Sequence, residues 1–120
     1  MKKILIVDDS ASVRQVAKMT LVKNGYDVTE AIDGMDALAK LDGPRFSLII
    51  SDLNMPNLNG FGLLEKVKTI SSYRFTPFVM LTTESSQEHL QKGKSFGAKA
   101  WMVKPFDATS LIQTVKKLIG

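Results

Sequence analysis

Five short apolar runs, Ile4–Val7, Val28–Ala31, Leu48–Ile50, Phe78–Leu81 and Trp101–Val103, alternate along the chain with segments of helical period. Such strict alternation predicts a parallel sheet, because parallel neighbours need a crossover of roughly a dozen residues or more, usually a helix. The first, third and fourth runs are almost wholly apolar, as central strands covered on both faces are. The second, Tyr26-Asp27-Val28-Thr29-Glu30, alternates with polar residues and is assigned to an edge. The expected fold class is therefore α/β: a doubly wound, five-stranded parallel sheet with helices on both faces.

The first predicted helix follows Ser10 as N-cap, repeats apolar residues at Val13, Val16, Ala17 and Leu21, and stops at Asn24-Gly25. The last uses Leu111, Ile112, Val115, Leu118 and Ile119 in the same way. Between them Ala37-Leu38-Leu41, Leu58-Phe61-Leu64-Val67 and Leu90-Phe96 supply shorter stripes, separated by Gly43-Pro44, Ser71-Ser72 and Gly97. No repeat, low-complexity segment or linker divides the chain, so residues 1–120 are expected to form a single domain.

The absence of cysteine excludes disulfides, thiolate metal sites and a cysteine nucleophile. The apolar run after Met1-Lys2-Lys3 ends after four residues at Asp8-Asp9, too short for the core of a signal peptide. No apolar stretch approaches the ~20 residues that cross a bilayer. The expectation is a soluble, cytoplasmic protein that binds no membrane. The net charge of +4 is unevenly spread: residues 1–84 hold 10 basic and 10 acidic residues, residues 85–120 hold 6 and 2. That excess suits either a solvated face or a surface that steers an acidic partner. No nucleic-acid-binding signature accompanies it, and none is expected to bind.

In an open parallel α/β sheet, ligands gather outside the carboxyl ends of the strands. Those ends carry Asp8 and Asp9 after the first strand, Asp52 after the third, Thr82-Thr83 after the fourth and Lys104 after the fifth. Alone, Asp8-Asp9 suits a solvated turn or a helix cap equally well, Asp52 before Leu53-Asn54-Met55-Pro56 suits a turn, and one lysine before a proline says little. Their conjunction at successive strand ends is what points to chemistry. Crowded carboxylates repel by ~4 kcal/mol per pair at 4 Å with an effective dielectric near 20, so they need protons or a cation. An all-oxygen set without Cys or His favours Mg²⁺, which keeps positions open for water and phosphate. A carboxylate can also act as a nucleophile and form an acyl phosphate, with a metal, Lys104 and a Thr82 hydroxyl neutralising the charge that develops.

At these residues the whole chain resembles the receiver domains of bacterial two-component response regulators, and especially the stand-alone CheY-like chemotaxis regulators. The motifs that carry the likeness are Asp8-Asp9, Asp52-Leu53-Asn54-Met55-Pro56 running on to Gly60, Leu81-Thr82 and Lys104-Pro105-Phe106. The resemblance implies a flavodoxin-like strand order, 2-1-3-4-5. It makes Asp52 the phosphoacceptor, fed by a phosphohistidine on a CheA-like histidine kinase or a phosphotransfer protein. Mg²⁺ would be held by Asp9, Asp52 and the Asn54 backbone carbonyl, with Asp8 acting through a metal-bound water. Lys104 would pair with the phosphoryl oxygens, before a cis Lys104-Pro105 bond. Thr82 would hydrogen-bond the phosphoryl group and draw its loop inward, making room for a switch aromatic, here Trp101, whose plainer role is core packing. Such a protein is a signalling phosphoacceptor rather than an enzyme, catalysing only its own phosphorylation and dephosphorylation.

The same resemblance implies an output partner such as a flagellar motor-switch protein, reached through the fourth helix, fifth strand and fifth helix, and possible attention from a phosphatase. Asn54, Glu84 and the strand 5 aromatic are similar to chemotaxis regulators with short-lived phosphoryl groups. A phosphorelay intermediate, passing phosphate to a histidine phosphotransfer domain, is the alternative role, and excision from a larger regulator is a third. Leu53, Asn59 and Thr83 depart from common choices at their positions. His89, the only histidine, is expected on the fourth helix, exposed and uninvolved in phosphotransfer. Two other classes fit less well. A flavodoxin-like FMN carrier needs a hydroxyl- and glycine-rich loop where this chain has two aspartates. An aspartyl-phosphate hydrolase needs an Asp-x-Asp pair, and Asp8-Asp9 lacks that spacing.

Overall fold

The computed structural model describes all residues from Met1 to Gly120. Strands β1 (Lys3–Val7), β2 (Asp27–Ala31), β3 (Leu48–Ser51), β4 (Phe78–Thr82) and β5 (Ala100–Val103) alternate with helices α1 (Ala11–Lys23), α2 (Gly34–Lys40), α3 (Gly60–Thr69), α4 (Gln87–Phe96) and α5 (Ala108–Ile119). The strands form one parallel sheet in the order β2-β1-β3-β4-β5. Fold class and strand order are those expected, and β2 lies at an edge.

Successive strand residues point to opposite faces, so each central strand serves two cores. Ile4, Ile6, Leu48, Ile50, Val79 and Leu81 meet Ala17 and Leu21 of α1 and Leu111 and Val115 of α5. Leu5, Val7, Ile49, Phe78 and Met80 meet Ala37 of α2 and Phe61, Leu63, Leu64 and Val67 of α3. Every residue of β3 and β4 is buried, which is why those runs read as continuous apolar sequence. Burying a Leu, Ile or Phe side chain fully contributes about 1.5–3 kcal/mol, and these two layers hold the strands in register.

Two details of the predicted periodicity change. Val16 is 53% exposed, because the face of α1 that meets the sheet follows the i, i+4 line through Val13, Ala17 and Leu21 and leaves Val16 off its edge. α4 buries only Gly93 completely, while Leu90 and Phe96 are half-buried. No helix is long and apolar enough to cross a membrane.

Every helix follows the carboxyl end of a strand and starts on a side chain that accepts a first-turn N–H. Ser10 takes Val13 N (3.4 Å), Asp33 takes Asp36 N (2.8 Å), Asn59 takes Gly62 N (2.9 Å), Ser86 takes His89 N (3.2 Å) and Asp107 takes Ser110 N (2.7 Å). Such caps contribute about 1 kcal/mol each and fix where each strand's chain turns back. Asn59, noted in the sequence only as a departure, is thus the N-cap of α3. Gly60 follows it where a Cβ would lie 2.4 Å from the Asp52 carbonyl oxygen, so only glycine lets α3 start this close to β3.

Candidate functional site

Three backbone hydrogen bonds extend the sheet one residue past its strands and so aim the site. Asp8 N donates to Ala31 O (3.1 Å), Asp52 N to Val7 O (2.8 Å) and Lys104 N to Thr82 O (2.8 Å). Each residue is therefore still held in the ladder while its side chain clears the last core layer. Asp8 and Asp52 are buried, Asp9 is exposed and Lys104 is mostly covered.

The Lys104 ammonium stands 2.6 Å from Asp8 Oδ2 and 3.3 Å from Asp52 Oδ2, joining residues 96 and 52 positions apart. The remaining oxygens are held too: Asp8 Oδ1 accepts from Ser10 N (2.9 Å) and Asp52 Oδ1 from Leu53 N (2.7 Å). Arg14 fastens the turn by donating to the Asp8 carbonyl at 2.7 Å. Burial raises the Asp8 carboxyl above the usual carboxylate value; hydrogen bonds from Lys104 and Ser10 oppose this and the Asp52 charge adds to it. Burial alone would lower Lys104, but the hydrogen bond and charge of Asp8, with those of Asp52, hold its ammonium above the ordinary lysine value. Ligand oxygens of Asp8, Asp9 and Asp52 lie within 4.8 Å of one another. That donor set is all oxygen, doubly or triply negative and partly open to water, which fits a hard divalent cation such as Mg²⁺ and not a thiophilic one.

Thr82 ends β4 fully buried, and its Oγ1 accepts from Glu84 N at 3.4 Å. Trp101 is not at the carboxylates. Its half-buried indole donates from Nε1 to Glu84 O at 2.8 Å, and its ring passes so close to α4 that a Cβ on Gly93 would lie 2.7 Å from it. The Asn54 side chain, in the loop leaving Asp52, donates to Glu84 Oε1 at 3.2 Å. The Lys104-Pro105 peptide is cis.

Glu84 is thus a hub that sequence reasoning quoted without seeing: the threonine, the tryptophan and the loop after Asp52 all meet on it. His89, on α4 as expected and part-exposed, joins them. Its side chain keeps 39% of its exposure, Nδ1 lies 2.5 Å from Ser86 Oγ and 3.8 Å from Glu84 Oε2, and its ring stacks on Phe61 with centroids 6.2 Å apart. The signal for this was the Ser86-x-x-His89 spacing, which puts an N-cap hydroxyl beside the third helical residue.

The chain matches known proteins along nearly its whole length. The response regulator receiver domain family matches residues 4–116. Protein PilG of Pseudomonas aeruginosa is 35% identical over 114 residues, 95% of this chain and 84% of that one. Chemotaxis protein CheY1 of Helicobacter pylori is 37% identical over 120 residues, 98% of this chain and 97% of that one. Among solved structures, chemotaxis protein CheY4 of Vibrio cholerae superposes with a TM-score of 0.95 at 49% identity, covering 99% of both chains. A CheY-like receiver domain protein of Methanospirillum hungatei superposes at 0.91 with 31% identity, covering 98% of this chain and 92% of that one. Sequence, strand order and the acidic rim with its lysine all lead to one family, and this chain belongs to the response regulator receiver domains.

Proposed function

We propose that residues 1–120 form a single-domain phosphoacceptor switch in which Asp52 carries the phosphoryl group. The observation that supports this most directly is the Lys104 ammonium bridging Asp8 and Asp52 at the carboxyl end of a receiver fold. An Asp52 carboxylate oxygen attacks the phosphorus of a phosphohistidine. The P–N bond breaks, its electron pair stays on the donor imidazole and an acyl phosphate forms. The ionised carboxylate needs no general base, and Leu53 N fixes its orientation through Oδ1. Lys104 neutralises charge on the transferred oxygens. Attack of water on the same phosphorus later releases inorganic phosphate and restores the carboxylate, so the protein acts only on its own modification.

Asp9, Asp52 and the Asn54 carbonyl would hold Mg²⁺, and Asp8 would act through water. Once bound, the cation offsets the negative charge of carboxylates and phosphate together. The Thr82 hydroxyl turns to the phosphoryl group, its loop follows and Trp101 moves with it, a population shift between two conformations. The donor is a cytoplasmic histidine kinase or phosphotransfer protein. The output is a chemotaxis partner, such as a flagellar motor switch, that meets α4, β5 and α5. A short-lived phosphate suits that role, with or without a phosphatase.

Intact mass after incubation with Mg²⁺ and acetyl phosphate tests the reading. One added phosphoryl group in the native protein, absent from Asp52→Asn and from a metal-free sample, is the expected result. No adduct, and no beryllofluoride complex either, would leave the protein an unphosphorylated binding module.

A further inference from the structure

We propose that the turn joining α3 to β4 is a contact surface for an anionic lipid bilayer, with Phe75 as its apolar tip and Arg45, Lys68, Arg74 and Lys99 as the cations around it. Thr76 N donates to Tyr73 O at 3.0 Å, which closes a turn with Arg74 and Phe75 at its two corners. The residues on either side are buried, Tyr73 at 3% and Thr76 at 5% exposure, whereas Phe75 is 86% exposed. Corners of this kind are ordinarily filled by Gly, Pro, Asn, Asp or Ser. A lone exposed apolar side chain needs no explanation by itself; the cations around this one do.

The turn is anchored on its inner side. The Tyr73 hydroxyl accepts from Phe46 N (3.1 Å) and donates to Pro44 O (3.4 Å), and the Lys68 ammonium donates to Arg74 O and Thr76 O, both at 3.1 Å. Arg45 donates to Ser72 O and lies over the Tyr73 ring, 4.8 Å from its centroid. The Arg74 guanidinium is 5.9 Å from the Phe75 centroid. Lys99 stands beside the start of β4, its N–H bonded to Phe78 O at 2.8 Å. None of the four cations takes part in an ion pair; Asp42 and Glu65, three residues before Arg45 and Lys68, stay beyond ion-pair distance. Burial and the Lys99 charge both hold Lys68 below the ordinary lysine value. Positive charge clustered without counter-ions is stabilised by meeting an anionic surface.

Shape selects the occupant. The molecule's main grooves run along α4 and β5, along α1 beside Glu30, and between α1 and Pro105, and neither Arg74 nor Phe75 lines any of them. A peptide needs a groove in which to lie, whereas a bilayer surface yields to a protruding ring. Phe75 enters the boundary between headgroups and acyl chains, and the cations stay at headgroup level with their stems against the apolar layer. The acidic rim of Asp8, Asp9 and Asp52 lies at the opposite, carboxyl end of the sheet and is repelled by the same lipid, so a bound molecule presents that rim to water. The expectation that the chain binds no membrane rested on the lack of an apolar span, which a surface contact does not require. None of the contact residues belongs to the rim, and the contact does not depend on whether Asp52 accepts phosphate.

Co-sedimentation of the full chain with lipid vesicles is the test. Vesicles of phosphatidylcholine mixed equally with phosphatidylglycerol should pellet the native protein at about 0.05 M salt, and vesicles of phosphatidylcholine alone should not. Raising salt to about 0.3 M should release it, because screening shortens the reach of the surface charge. Phe75→Ser should weaken partitioning roughly tenfold or more, and Arg74→Gln roughly fivefold. Both side chains are exposed, so both variants should keep the native urea midpoint. Met19→Ser removes another exposed apolar side chain, from α1 (64% exposed), and should bind as the native protein does. No pelleting with the mixed vesicles, or pelleting that Phe75→Ser leaves unchanged, overturns the proposal. A loss with Met19→Ser as large as with Phe75→Ser overturns it too, since α1 would then be the contacting face.

Discussion

Lys104 Nζ lies 2.6 Å from Asp8 Oδ2, an ion pair between the first strand end and the last with 14% and 3% of the two side chains exposed. Because Asp52 shares the same ammonium at 3.3 Å, this one cation balances the carboxylates of an otherwise anionic rim. Lys104→Met removes it and leaves Asp8 buried beside Asp52 without a counter-ion. In metal-free buffer the variant should lose about 3–5 kcal/mol of stability, since a buried charge stripped of its partner is costly. Millimolar Mg²⁺ should recover much of that loss. Urea unfolding with and without Mg²⁺ measures both quantities, and an equal loss in the two buffers would show that the cation does not bind among these carboxylates.

Asp8 gives a prediction of opposite sign. Its folded-state pKa is raised by burial and by Asp52, so the folded protein holds a proton where the unfolded chain has released it. Ionised Asp8 therefore costs stability above the ordinary carboxylate range, and the cost disappears as pH falls below the unfolded value. Asp8→Asn should raise the melting temperature at pH 7 in metal-free buffer, and the gain should shrink as pH falls and vanish below the ordinary carboxylate value of 3.8. A variant less stable than the native protein at pH 7 would mean that the Lys104 pair outweighs the desolvation of Asp8.

The legible part of this molecule is what the strands impose. Apolar runs fix the sheet, and the meeting of Asp8, Asp52 and Lys104 on one rim was readable because position at a strand end is a local property of sequence. What stayed hidden depends on contacts between distant segments. Asn57 adopts a left-handed backbone (φ 70°) that asparagine tolerates, and it donates to Asp33 across 24 residues at 2.7 Å. Neither residue announces the other. Glu84, Phe61 and His89 meet only because α3, α4 and the loop after β4 pack together. Val16 was misplaced because, with apolar residues at 13, 16, 17 and 21, periodicity alone does not say which pair of neighbouring lines meets the sheet.

Gly93 is the point at which α4 rests on the indole. A Cβ there would lie 2.7 Å from Trp101 Cζ3 and 2.9 Å from Cε3, so Gly93→Ala must displace the ring or lift the helix. Overpacking of this kind costs about 1–3 kcal/mol, more than the gain in helix propensity returns. The variant should unfold at lower urea concentration and show altered Trp101 emission. Unchanged emission would mean that α4 moves and the indole stays bonded to Glu84.

That bond supports the most direct test of the proposed switch. Trp101→Phe keeps an aromatic ring against Phe61 but removes the Nε1 donor, leaving the Glu84 carbonyl without the partner it has at 2.8 Å. A hydrogen bond of this type contributes about 1 kcal/mol net. If it belongs to the resting conformation alone, its removal destabilises that conformation and not the phosphorylated one. The protein should then be about 1 kcal/mol less stable to urea, yet bind beryllofluoride up to roughly fivefold more tightly, because a ligand's apparent affinity rises with the population of the state it selects. Reduced stability with unchanged beryllofluoride affinity would instead show that the indole keeps its grip on Glu84 in both conformations, making Trp101 a structural strut.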